Sequence, residues 1–160
     1  MAKVIEDEFG TMFVVELGVG PKRANNRDDV TVVQYLLNLY FEHPENASAR
    51  RFAGGGYAPL KVDGIIGPKT NARIKKFQEF MTSIGLFLVC DGCVDKARAD
   101  MVVPGKSSCL YTIFELNSHV RYLYLDGTDI IPLRHRADFP ARLVPVVNRF
   151  LPLWAQWNAA

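Results

Sequence analysis

Apolar positions recur at helical spacing in two separate stretches of the chain. Over Asp29–Phe41, Val30, Val33, Leu37 and Tyr40 or Phe41 fall on one stripe. Asp28 or Asp29 suits the cap of this helix and its positive end. His43-Pro44 ends it, because the residue before proline resists the α region. In the second stretch Ile74, Phe77 and Met81 share a face, leaving Arg73, Lys75, Lys76 and Glu79 for solvent. Pro68 fits the first helical position, where no N–H is needed, and Gly85 is a stop after Ile84. A third helix is expected from about Cys109 to Tyr124. Thr11–Leu17 is apolar and β-branched, and reads as a short strand or an extended lead-in. Glu45–Pro59, with Gly54-Gly55-Gly56, reads as a long loop. The tail from Phe139 to Trp157 has helical spacing in Leu143, Val146, Val147 and Phe150. There Pro140 and Pro152 could each start a short helix, and Pro145 is expected to kink or end one. The pattern predicts a mainly α fold.

Between the first two helices lies Asp63-Gly64-Ile65-Ile66-Gly67-Pro68-Lys69-Thr70. Asp-Gly supplies a turn in which glycine tolerates positive φ. This turn, the helix carrying Val33-Gln34-Tyr35-Leu36-Leu37-Asn38 and the helix ending Phe77-Gln78 together resemble the small peptidoglycan-binding domain of bacterial cell-wall proteins. The lead-in Val19-Gly20-Pro21 and the Asn25-Asn26 pair before the first helix extend the match to about half of the chain. Leu88-Val89-Cys90-Asp91-Gly92-Cys93-Val94-Asp95 repeats the Asp-Gly logic and leads to Leu110–Asn117, as in some relatives of that domain. Where those relatives place proline or glycine after the second Asp, this chain has Lys96.

The resemblance implies a peptidoglycan-binding-like three-helix bundle elaborated by further C-terminal helices. Residues 1–18 are then an extended lead-in, 19–125 the bundle with its second turn, and 126–160 a helical extension packed on it. It also implies non-catalytic binding of peptidoglycan, through a shallow groove beside the first turn that meets stem peptide or sugar. Polar groups and an aromatic platform suited to such a ligand are Tyr57, Lys61, Asp63, Lys69 and Arg73, with Asn26, Arg27 and Gln34 from the first helix. Asp63, Gly64, Gly67, Pro68 and Thr70 read most simply as a turn and cap alone, and for Gln34 a buried amide satisfied by backbone is the commoner fate.

Composition narrows the function classes. The 160 residues are 49% hydrophobic and 22% charged, as in ordinary globular domains. A net charge of +2 gives no argument for nucleic acid. Acidic residues gather at the start (Glu6, Asp7, Glu8 and Glu16 against Lys3), and Arg134, Arg136, Arg142 and Arg149 make the end basic. No apolar run approaches a membrane span. Met1–Glu8 lacks the basic, apolar and small-residue pattern of a secretory signal. The expectation is therefore a protein made in the cytoplasm that reaches the periplasm or wall by a specialised route, such as phage lysis or a contact-dependent secretion apparatus. A protein-interaction adaptor of such an apparatus, using the same fold, is the alternative.

Catalytic patterns are missing from the sequence: no nucleophile–histidine arrangement, His-Glu-x-x-His helix or phosphate loop is present. His43, His119 and His135 stand far apart, and Asp126 and Asp129 sit in a turn where Asp is ordinary. The expectation is a non-enzyme without a cofactor. Cys90 and Cys93 have zinc-ligand spacing that Cys109 and His119 could complete, but they bracket the second Asp-Gly turn. A Cys93–Cys109 disulfide and free thiols remain alternatives. Trp154 and Trp157 either complete the core or anchor a partner protein.

Overall fold

The computed structural model describes residues 1–7, 10–54, 57–96, 111–125, 127 and 129–157, without the side chains of residues 7 and 152–157. Among these the fold is mainly helical. β1 (Lys3–Asp7) and β2 (Gly10–Val14) form an antiparallel hairpin, with Val4 opposite Phe13. The helices are α1 (Arg27–Glu42), α2 (Ala47–Ala53), α3 (Pro68–Ser83), α4 (Thr112–Tyr124) and α5 (Val144–Trp157), with short 3-10 turns at Pro44–Asn46, Ile131–His135 and Ala141–Leu143.

α1 is the axis of the molecule. Every residue from Asp29 to Phe41 is buried, so the single apolar stripe expected for this helix is too narrow a description. The physical reason is that α2, α3 and α4 all pack on it, and α4 also covers β2 while α5 covers β1. Polar residues on its buried faces are absorbed by specific bonds. Asn38 exchanges both amide groups with the backbone of Leu60, at 2.8 Å each way. Asp29 does not cap the helix. Its carboxylate accepts the backbone N–H groups of Glu16 and Leu17 at 3.3 and 3.1 Å, tying the strand exit to α1. The cap is Asn26, whose Oδ1 accepts from Asp28 N–H at 3.0 Å.

Among the described residues one hydrophobic cluster links the hairpin and the helices. Val4 and Phe13 of the hairpin, Leu36 and Tyr40 of α1, Phe77 of α3, Leu116 of α4 and Val146 of α5 all belong to it. Fully burying side chains of this size contributes about 2–3 kcal/mol each. Asn117 fastens α4 to the hairpin. It accepts Phe13 N–H and donates to the Phe13 carbonyl, both at 2.8 Å. Asp129 receives the N–H and hydroxyl of Thr11 at 3.3 and 3.1 Å, which anchors the far end of β2.

Three further expectations need correction. The Glu45–Pro59 loop contains the Pro44–Asn46 turn and α2, held by Arg50, which donates to the carbonyls of Phe41 and His43 at 2.7 and 2.6 Å. The Arg50 side chain thus ties α2 to the carbonyls that α1 leaves at its end, which favours a second helix there. Pro145 does not break a helix; it is the second residue of α5, where its missing N–H costs nothing. Pro152 does not start one, since it lies inside the same helix. α3 behaves as expected. It begins on Pro68 and closes at Gly85 (φ 98°), with Leu86 N–H on the Met81 carbonyl at 3.0 Å and Gly85 N–H on Thr82 at 3.1 Å. The expected start of the third helix at Cys109 lies outside the described residues, which take up the helix at Thr112.

Candidate functional site

The first Asp-Gly turn is held from the inside by Gln34. Its Oε1 accepts the N–H groups of Asp63 and Gly64 at 3.1 and 2.9 Å. Its Nε2 donates to the Ile65 carbonyl at 3.0 Å, the Thr70 hydroxyl at 3.3 Å and Asp63 Oδ1 at 3.4 Å. Only a neutral amide can both accept and donate in this way. Asp63 Oδ1 also accepts Ile65 N–H at 2.9 Å, and that bond holds its carboxyl below the usual carboxylate range. Gly64 stands at φ 71°, and a Cβ there would lie 2.6 Å from the Arg27 carbonyl oxygen. The turn therefore requires glycine twice over, for conformation and for space.

The second turn is built the same way from Gln78. Its Oε1 accepts Gly92 N–H at 2.8 Å. Its Nε2 donates to the Cys93 carbonyl at 2.8 Å, the Thr112 hydroxyl at 3.0 Å and Asp91 Oδ1 at 3.3 Å. Asp91 Oδ1 accepts Cys93 N–H at 2.8 Å, and Gly92 stands at φ 75°. The correspondence extends outward. Leu60 and Leu88 precede the two Asp residues at the same spacing, and both are 7% exposed. Their carbonyls receive Asn38 and Thr82, each one turn beyond its glutamine, at 2.8 and 3.5 Å. The chain thus carries one helix–turn–helix clamp twice, with α3 serving as the exit helix of the first and the entry helix of the second.

This geometry sorts the residues expected to bind a ligand. Gln34 is 2% exposed with its amide fully engaged, so it builds the turn and offers nothing to solvent. Asn26 is committed to the α1 cap. Tyr57 stacks on Phe41 at 5.8 Å between centroids, and the Arg73 guanidinium lies 4.1 Å over the Tyr57 ring while donating to the Ala58 carbonyl at 3.2 Å. Tyr57 Oη and Arg73 Nη1 are buried, and among the described residues no hydrogen bond by distance and angle engages them. The groups left facing solvent are Arg27, Lys61 and Lys69, around an Ile65 that is 58% exposed. Lys61 approaches Asp63 at 3.7 Å but remains 86% exposed. The candidate site is accordingly the exposed side of the turn, which carries a basic rim of Arg27, Lys61 and Lys69 and one exposed apolar side chain, Ile65.

Sequence reasoning missed Ile65 itself, and it missed Phe52 on α2. Phe52 is 42% exposed, packs edge-on against Phe80 at 5.5 Å and carries the Lys76 ammonium 5.5 Å above its ring. The spacing Lys69, Arg73, Lys76, Phe80 along α3 would have shown a common face; only the unrecognised α2 concealed what it meets.

The other chemistry weighed from sequence is dispersed. Cys90 and Cys93 are free thiols, and burial pushes the Cys93 thiol up. Cys109, the other member of the disulfide and zinc alternatives, lies outside the described residues. His119 leans on its own helix, with Nδ1 3.6 Å from Glu115 Oε2, between the rings of Tyr40 and Phe77. Among the described residues no group of three or more His, Cys, Asp or Glu side chains is placed to hold a metal ion. Trp154 and Trp157 fall on α5, and their side chains lie outside the described residues. No helix among the described residues is long and apolar enough to cross a membrane.

Comparison with protein-family models, with curated proteins and with solved structures finds no match.

Proposed function

We propose that this chain is a non-catalytic module that binds bacterial peptidoglycan, with the rim of the first Asp-Gly turn as its contact surface. The observation that carries the reading is the doubled clamp. Gln34 and Gln78 rigidify two Asp-Gly turns at the spacing of the cell-wall-binding domain that the sequence resembles, which leaves the side chains of the first turn free to face a ligand. Arg27, Lys61 and Lys69 supply positive charge for the carboxylates of wall stem peptides, and exposed Ile65 supplies apolar contact. A rigid turn lowers the ordering cost of binding.

The test is sedimentation of the purified chain with isolated sacculi at low and moderate salt. Recovery in the pellet, with no soluble muropeptides released, supports the reading; a chain left wholly in the supernatant at both salts sinks it. The second reading, an adaptor for a protein of a secretion or phage apparatus, is favoured by exposed Phe87 and Val89 (71% and 55%), apolar side chains that a wall polymer does not require.

A further inference from the structure

The two clamps differ in one respect: what lies on their outer edge. At the second turn Val94 pairs with Val19 through both backbone groups, Val19 N–H to Val94 carbonyl at 2.9 Å and Val94 N–H to Val19 carbonyl at 2.7 Å. The strand continues as Gly20, packed so closely that a Cβ there would stand 2.5 Å from the Gly92 carbonyl oxygen and 3.1 Å from Cys93 Sγ. This strand covers Cys93, which is 7% exposed. Four residues beyond Val19, Arg23 bonds Asp95 at 2.7 Å and stands 4.0 Å from Asp91 Oδ2.

At the first turn no hydrogen bond among the described residues fills the equivalent edge. Ile66 corresponds to Val94 and Ile65 to Cys93. Among the described residues no hydrogen bond engages the Ile66 backbone, and Ile65 is 58% exposed where its counterpart is covered. Asp63 Oδ1 is spent on Ile65 N–H, as Asp91 Oδ1 is on Cys93 N–H, so Oδ2 is the oxygen left for a cation. Its neighbour Lys61 is 86% exposed and easily displaced.

We propose that the outer edge of the Asp63–Ile66 turn docks an extended peptide segment of a partner protein, through a two-way backbone bridge to Ile66. The inference goes beyond wall binding and does not depend on it. The chain's own occupant of the equivalent edge specifies the partner's chemistry. An apolar residue pairs with Ile66 and a glycine follows it over Ile65, because the equivalent space over Cys93 excludes a side chain. A basic residue four positions after the apolar one stands near Asp63 Oδ2, as Arg23 stands 4.0 Å from Asp91 Oδ2. The shorter Arg23–Asp95 bond has no counterpart, because Gly67 takes that position. Backbone pairing supplies attachment and the glycine and cation supply selectivity, the logic of strand addition at an open edge.

The test titrates the isotope-labelled full chain with a synthetic peptide of the Leu17–Asn25 sequence, followed by backbone amide resonances. The expected result is fast-exchange shifts centred on Ile65, Ile66 and Gly67. N-methylation of the peptide's valine, which removes one arm of the bridge, weakens the effect at least tenfold, and so does valine in place of its second glycine. Ile65→Asp, at an exposed position that leaves the clamp intact, also weakens it, with unchanged helical circular dichroism as the control for folding. Shifts confined to Gly92–Asp95 would show strand exchange at the second turn and overturn the proposal. Equal binding of the N-methylated peptide, or no shift at millimolar peptide, would also overturn it. So would displacement at Ile65–Ile66 by soluble muropeptides but not by peptide, an outcome that assigns the edge to the wall polymer.

Discussion

Gln34 and Gln78 perform one task twice: each lies buried on its helix, accepts a glycine N–H through Oε1 and returns Nε2 to the next carbonyl, at 2.9 and 3.0 Å in one case and 2.8 and 2.8 Å in the other. Truncating either amide leaves a buried glycine N–H without its partner and removes the donor to the following carbonyl, buried at Cys93 and part-buried at Ile65. Gln34→Ala and Gln78→Ala are therefore expected to lower the unfolding free energy by roughly 2–4 kcal/mol each. Gln34→Glu should be at least as harmful, because it loses the donors and places a charge against Asp63. Urea unfolding followed by circular dichroism measures this; losses under half a kcal/mol would show that the turns hold without their clamps.

The close approach of the lead-in to the second turn makes an equally sharp prediction. Gly20 stands at φ 125°, and a Cβ would be 2.5 Å from the Gly92 carbonyl oxygen and 2.9 Å from Cys93 Cα, both backbone atoms that cannot swing aside. Gly20→Ala should cost about 2 kcal/mol or more through strain and overpacking. Gly67→Ala is the control. Its Cβ would meet nothing within 4 Å and its φ of −151° is ordinary extended backbone, so stability should stay within half a kcal/mol, as at unconstrained surface sites. A thermal melt of both variants separates the two cases.

Asn117 is expected to matter more than its small apolar area suggests. It satisfies both backbone groups of Phe13 and also donates to the Ile113 carbonyl at 2.7 Å, so Asn117→Ala leaves the hairpin unpaired at its buried face. A loss of about 2–3 kcal/mol follows from two orphaned backbone groups. Amide exchange at Phe13 should accelerate beyond the global change, and protection kept at the wild-type level would refute the role.

What the chain reveals before folding follows from where its information is local. α1, α3 and the two Asp-Gly turns are legible because their signals are contiguous: Ile74, Phe77 and Met81 lie on the buried face of α3, and glycine adopts positive φ in both turns. β1 escapes notice because Lys3, Glu6 and Asp7 dilute Val4 and Ile5, and only its pairing with β2 makes it a strand. α2 is hidden by the neighbouring glycines, since its stability comes from Arg50 on the end of α1 and from contact with α3. The sequence points to Asp28 or Asp29 as the cap of α1 because they carry the right charge. Asn26 takes it because Asp29 is claimed by Glu16 and Leu17, a contact that closes only in the folded chain. The candidate site shows the same division. The turn is readable, but which of its polar residues stay outside it depends on three-dimensional packing.

That division can be tested on the wall. Arg27, Lys61 and Lys69 are exposed and hold up none of the clamp through their side chains, so the triple variant to glutamate should fold with near-native stability. It should sediment with sacculi far less than the parent, and the parent's own binding should weaken as salt rises, because exposed charges are screened. Tyr57→Phe, which removes only a buried hydroxyl and keeps the ring, should bind as the parent does. Undiminished pelleting of the triple variant would remove the basic rim from the account of binding.

The buried carboxylates predict how stability responds to pH. Glu115 is 7% exposed, and burial pushes its carboxyl above the usual range, opposed only by His119 beside it. Asp29, fully buried, is pushed up for the same reason, although the N–H groups of Glu16 and Leu17 pull it back. A group with a raised folded pKa holds its proton longer in the folded chain than in the unfolded one. Its favourable contribution is therefore complete below the ordinary carboxylate value and is lost as pH rises through the folded one. Glu16 works in the opposite sense. Bonds from Lys3 and the terminal amine lower it to about 2, so its contribution is present above the ordinary value and disappears only as pH falls toward 2. The two windows do not coincide. Glu115→Gln keeps the shape and removes the buried charge, so it should raise the unfolding free energy at pH 7 while changing it little at pH 4. Denaturant midpoints of parent and variant across this range provide the measurement. A variant that gains equally at both pH values would show that Glu115 acts through packing and not through its charge.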